Sequence, residues 1–278
     1  MIPPIASRFV AGETPATALD RAAELNERDV GAILNLLGEH YDEAGPADED
    51  AEAYLRLLDD LATAELRACI SVKPSQIGLD AGLPVFEDNV ERIVSAAAAQ
   101  GTFVWLDMED HEATDATLDA YERQVTEHDG GVGVCVQANL RRTREDLARL
   151  APLPGKVRLV KGAYDEPESI AYTSKERVDR RYEADLEFMF QEFEGGIAVG
   201  SHDPRMIDHA KQLHAEYGTD LEFQMLMGVR EDAQTDLAHE YDVWQYVPYG
   251  GKWISYFSRR VTERKENLLF ALRAVLGR

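Results

Sequence analysis

The sequence predicts a closed (β/α)8 barrel, and three observations carry that expectation. The chain has 278 residues, close to the roughly 250 that such a barrel uses. Eight short, β-branched apolar runs alternate with longer, charge-rich amphipathic stretches, the pattern of parallel strands joined by crossover helices. Each apolar run also stops at polar residues, where this architecture keeps its active site. An open doubly wound sheet is the structural alternative.

The elements follow in order. Residues 14–28 read as a helix ahead of the barrel, with Thr14 as N-cap and Pro15 in the first turn. Residues 1–29 are therefore an N-terminal helical segment and residues 30–278 the barrel domain. Strands are expected at 30–37, 67–73, 102–107, 133–137, 157–161, 197–201, 221–225 and 242–247. Helices are expected at 48–64, 86–100, 114–127, 143–150, 173–193, 204–217 and 230–240, with a final one at 253–276. Residues 44–49 read as a loop, and the acidic pairs at 48–50 and 59–60 as solvated helix faces.

Composition narrows the function. Fifty-two acidic residues against 29 basic give a net charge of -23, which disfavours binding to nucleic-acid phosphates. The acid-rich, lysine-poor balance suits a salt-loaded cytoplasm as well as it suits an ordinary acidic protein. Cys69 and Cys135 lie inside apolar runs and read as buried thiols. No secretory leader and no membrane-spanning run is evident, so a cytoplasmic protein is expected, with peripheral membrane contact left open.

The chemistry should sit where the strands stop. Those ends carry Lys73, Asp107 with Glu109, Gln137, Arg158 with Lys161, Ser201 with His202 and Asp203, Gln224, and Tyr246. In the last helix Tyr256, Arg259, Arg260 and Glu263 stand at i, i+3, i+4 and i+7, on one face. Two guanidinium groups offer forked donors suited to a carboxylate. No G-x-G-x-x-G follows a strand and no phosphate-binding P-loop is present. Lys161-Gly162-Ala163-Tyr164 does follow a strand, and its small residues allow close approach of a cofactor. Two other chemistries stay open at this point. Asp107, Glu109, Asp110, His111, His202 and Asp203 include metal-ligand types, and Lys161 is a candidate for a Schiff base.

The chain resembles the proline dehydrogenases of the short, monofunctional bacterial or archaeal type. The matching segments are LLGE at 36–39, SVKPSQIGLD at 71–80, WLDMED at 105–110, VQA at 136–138 and RLVKGAY at 158–164. GSHDP at 200–204, EFQMLMG at 222–228 and YVPYGGKWISYFSRRVTE at 246–263 complete the series. The resemblance implies a distorted (βα)8 TIM barrel, FAD above the strand ends, and a final helix lying over them. It implies oxidation of L-proline to Δ1-pyrroline-5-carboxylate, hydride passing to flavin N5 and electrons to a quinone. Arg259, Arg260 and Lys73 would then meet the proline carboxylate, with Glu263 ordering the arginines. Tyr246, Tyr256 and Leu226 would pack around the ring, and Asp107 would be the acidic residue of the pocket. Gln137, Arg158, Lys161, Gly162, Ala163, Tyr164, Ser201, His202 and Asp203 would hold the FAD, with Arg158 near N5. Ser201 and Asp203 replace the family's more usual Thr and Asn, and Asp165 and Met227 stand where aromatic residues are commoner.

Overall fold

In the computed structural model, which describes residues 2, 6–254, 256 and 257, eight parallel strands close into a barrel in chain order. They are β1 (Val30–Leu36), β2 (Ala68–Val72), β3 (Val104–Leu106), β4 (Val132–Gln137), β5 (Lys156–Val160), β6 (Ile197–Gly200), β7 (Leu221–Leu226) and β8 (Asp242–Tyr249). The crossover helices α2 (Ala44–Ala64), α3 (Leu83–Gln100), α4 (Thr114–Glu127), α5 (Thr143–Leu150), α6 (Lys175–Glu192), α7 (Pro204–Tyr217) and α8 (Glu231–Ala238) separate them. Ahead of the barrel, α1 (Pro15–Asn26) packs across β1 and β8, where the ring closes. Thr14 caps it as expected, its hydroxyl accepting from the Thr17 amide.

Alternation along each strand sorts the side chains into two sets. One set faces the helices: Ala32, Leu34, Ile70, Val104, Val134, Leu159, Val199 and Phe223 all belong to the main core. The other faces the lumen. Its apolar part is a separate small cluster of Ile33, Cys69, Trp105 and Ala198, bordered by Phe103, Trp244 and Tyr246. Glycine makes room for the large rings there. A Cβ on Gly133 would stand 2.5 Å from the Trp105 ring, and one on Gly31 would stand 2.5 Å from Trp244. Both cysteines are buried and unbridged.

Several boundaries differ from the sequence reading. Residues 44–49 are not a loop but the first turns of α2. Pro46 falls where the helix has no backbone N–H partner to lose, and Ala47 and Ala51 are buried beneath it. Asp50 is not on a solvated face either, since it accepts from Tyr41 Oη at 2.7 Å and Gln76 Nε2 at 2.8 Å. Helix α3 begins at Leu83 rather than 86, with Pro84 in its first turn. Strand β8 runs to Tyr249, because Asn35 and Leu36 of β1 pair with Pro248 and Tyr249.

Candidate active site

At the C-terminal mouth of the barrel the polar groups converge on Asp107. This residue follows β3 and is almost fully buried. Ser71 Oγ of β2 donates to it at 2.6 Å and Tyr246 Oη of β8 at 2.7 Å. Arg158 of β5 completes the set with an ion pair through Nη2. The same guanidinium lies 5.0 Å from the Trp105 ring centroid and donates through Nη1 to Gln224 Oε1 at 2.9 Å. A charge buried this deeply needs a partner and hydrogen bonds, and Arg158 has both. Burial and the Asp107 carboxylate push the Tyr246 phenol well above its ordinary range. Tyr246 is therefore a neutral donor at physiological pH.

A second group lies beside it, after β2. Lys73 Nζ is 3.1 Å from Glu39 Oε2. Glu109 accepts from the Ser75 amide at 2.7 Å and from its hydroxyl at 2.8 Å. Burial nonetheless raises the Glu109 carboxyl above its usual value.

The expected cofactor residues gather after β4, β5 and β6. Gln137 donates to the Glu109 carbonyl at 2.8 Å and accepts from the Ala163 amide at 3.4 Å. Gly162 has a φ of 106°, a conformation only glycine adopts freely. A Cβ there would also collide with Asn139, whose own Oδ1 is buried and has no hydrogen-bond partner among the described residues. Tyr164 is half-buried on the same loop and Asp165 is exposed. Lys161 bridges Asp179 at 2.5 Å and Asp203 at 2.7 Å. Burial works against both carboxylates, but Lys161 together with Lys175, and for Asp203 the Arg205 amide, outweighs it and holds them below their ordinary values. Asp203 also caps α7 through the Arg205 amide, and its own amide donates to Ser201 Oγ at 3.2 Å. His202 Nε2 accepts from the Leu226 amide at 3.1 Å, which fixes the ring relative to β7.

The candidate metal ligands are scattered among other tasks. Asp107 is held by Arg158, and Asp110 caps a short turn at His111–Ala113. His111 pairs with Glu166 at 2.6 Å and Asp203 with Lys161. Among the described residues the six do not meet at one point. The Schiff-base alternative meets an obstacle too, because the Lys161 amine is engaged by two carboxylates rather than desolvated alone.

Tyr256 is buried against Val10 and Leu37, and Leu226 ends β7 half-buried at the mouth. Arg259, Arg260 and Glu263 lie outside the described residues. Sequence reasoning passed over Ser71, Trp105, Glu39 and Glu222 as site residues. Two-residue spacing was the available signal: Ser71 precedes Lys73, Trp105 precedes Asp107, and Glu222 precedes Gln224, each on the same strand face.

Known proteins resemble this chain over nearly its whole length. A family model described as proline dehydrogenase matches residues 18–273. The proline dehydrogenase of Deinococcus radiodurans is 36% identical over 282 residues, covering 98% of this chain and 90% of that protein. Proline dehydrogenase 1 of Bacillus subtilis is 36% identical over 276 residues, with the same coverage of 98% and 90%. Among solved structures, proline utilization A of Bdellovibrio bacteriovorus, inactivated by N-propargylglycine, superposes with a TM-score of 0.86 at 24% identity. It covers 95% of this chain, which spans only 33% of that larger protein, and at this identity the likeness bears on the fold.

Proposed function

The chain belongs to the proline dehydrogenase family, and from that we propose that it oxidises L-proline to Δ1-pyrroline-5-carboxylate, using FAD and delivering the electrons to a quinone. The observation that carries the reading is the set around Asp107, where Tyr246, Ser71 and Arg158 meet on one buried carboxylate at the barrel mouth.

The residues present fit a flavin. Asn139 Oδ1, a buried acceptor without a partner among the described residues, lies beside the glycine turn at Gly162. An unsatisfied group of this kind is accounted for by a ligand bearing N–H or O–H donors. Gln137, Gly162, Ala163, Tyr164, Ser201 and His202 would hold the cofactor. Lys161 would face its phosphates, positioned by Asp203. Bound there, FAD supplies the acceptor for the hydride leaving C5 of proline.

The protein's own task is orientation and electrostatics. Lys73, with Arg259 and Arg260, meets the substrate carboxylate. Leu226, Tyr246 and Tyr256 bound the ring. Tyr246 orients and does not take a proton, because its phenol stays neutral. Arg158 brings a fixed positive charge to the reacting end of the pocket, where it would face the negative charge that a bound flavin gains on accepting the hydride. Asp107 keeps that guanidinium and the Tyr246 hydroxyl in register.

Among the described residues no helix is long and apolar enough to cross a membrane. The proposed quinone would then be met by peripheral contact at the membrane surface.

An absorbance spectrum taken before and after L-proline, without oxygen, tests the function. FAD-loaded protein should show flavin bands that bleach on addition of proline. A flavin spectrum that proline leaves unchanged, or no retention of FAD, overturns the reading.

A further inference from the structure

The lumen of this barrel carries a column of alternating charge that begins below the site and ends in it. Lys156 and Arg158 are two residues apart on β5, and Glu222 and Gln224 are two apart on β7. Alternation turns all four inward. Lys156 Nζ makes an ion pair with Glu222. Gln224 Nε2 donates to Glu222 Oε1 at 2.6 Å, and Gln224 Oε1 accepts from Arg158 Nη1 at 2.9 Å. Arg158 in turn holds Asp107. Glu222, Gln224 and Arg158 are each at most 6% exposed, so no bulk water can substitute for a lost partner.

We propose that Glu222 is a positioning residue for the reaction, acting through the Gln224 amide to fix the Arg158 guanidinium. Which groups can donate sets the direction of the chain. An ionised carboxylate only accepts, and a guanidinium only donates. Between them a glutamine amide has one allowed orientation, NH2 toward Glu222 and oxygen toward Arg158. Glu222→Gln removes that constraint. Lys156 can only donate, so it takes the oxygen of the new amide. The NH2 at position 222 then points at Gln224 and draws its oxygen away from Arg158. The Gln224 NH2 is left facing the Arg158 donors, and the guanidinium loses its Gln224 acceptor while keeping Asp107. A single atom exchange below the site thereby turns an acceptor into a donor two links away. Exchanging the two residues, Glu222→Gln with Gln224→Glu, keeps charge and composition and restores the direction. Lys156 then donates to the amide oxygen at position 222. The NH2 of that amide donates to the carboxylate now at position 224, and this carboxylate accepts from Arg158.

This inference rests on the proposed reaction only where turnover is the readout. Two measurements on the FAD-loaded enzyme separate the two questions. Steady-state kinetics should show kcat lowered about tenfold in Glu222→Gln, with KM for proline changed by less than about twofold, because the carboxylate contacts are untouched. The paired exchange should return most of the lost kcat. The guanidinium NMR signals of Arg158, recorded without substrate, should shift in Glu222→Gln and return in the paired exchange. If wild-type protein does not oxidise proline, the reaction assignment falls and the NMR series still tests the column. Arg158 signals that do not move in Glu222→Gln overturn the positioning role. So does a single variant that is impaired while the paired exchange, folded to the same Tm, rescues neither kcat nor the signals.

Discussion

Tyr246 and Asp107 lie 139 positions apart in the chain and meet through a 2.7 Å hydrogen bond across the barrel mouth. One comes from the last strand and the other from the end of the third, so the bond spans the ring. Their union leaves Asp107 engaged and gives the Tyr246 hydroxyl a defined direction.

Replacing Tyr246 by serine should uncouple that arrangement. The shorter side chain cannot reach Asp107, and it opens space beside the ring. Proline turnover should fall, and hydroxyproline, excluded by the phenol, should become a substrate. Comparing kcat/KM for the two substrates in both proteins measures this. Equal kinetics for both substrates in the unmutated enzyme would refute the exclusion.

Arg259→Met and Arg260→Met should each raise KM for proline sharply. Each removes a charge-assisted contact worth about 1.5–3 kcal/mol, or roughly ten- to a hundredfold in affinity. Proline titration of the FAD-loaded variants reads the loss directly, and unchanged affinity sinks the clamp.

The Lys161 bridge should contribute a pH-dependent share of stability. Against burial, its ammonium and that of Lys175 hold Asp179 and Asp203 below their ordinary value of 3.8. Groups depressed in the folded state stabilise it above the unfolded pKa, and that contribution disappears as pH falls through the folded value. Lys161→Met should therefore lower Tm at pH near 7, and the gap from wild type should narrow below pH of about 4. A gap that stays constant down to strong acid would contradict the assignment.

Gly133→Ala should destabilise the barrel from within its lumen. The added methyl would press on Trp105, which is 1% exposed and has nowhere to move. Overpacking of this kind costs about 1–3 kcal/mol, measurable by denaturant unfolding. Full stability in the variant would show that the lumen can relax around the indole.

The eight strands were legible because each carries apolar residues on the side buried against the helices. Strand ends were legible too, since charges there interrupt that pattern, which is how Asp107, Arg158 and Gln137 stood out. What the pattern hid was pairing. Arg158 and Lys161 read as cofactor-side cations at a strand end, and their partners were not visible: one is bound to Asp107 and the other to Asp179 and Asp203. Such contacts come from residues distant in sequence, and no local spacing encodes them. Helix starts were misjudged for a different reason. Pro46 and Pro84 occupy first turns, where proline is accepted. Asp203 looked like a cost to the cofactor contacts, and its capping of α7 emerged only from the fold.

Ring closure has a consequence for biosynthesis. Among the described residues strand β8 is the partner of β1 on that edge, and seven residue pairs join them. The first strand must wait, with one edge open, until residues 242–249 have left the ribosome. Asp107 acquires Tyr246 at that same moment. The nascent chain therefore carries an incomplete catalytic pocket through most of its synthesis, and the pocket and the seam mature together.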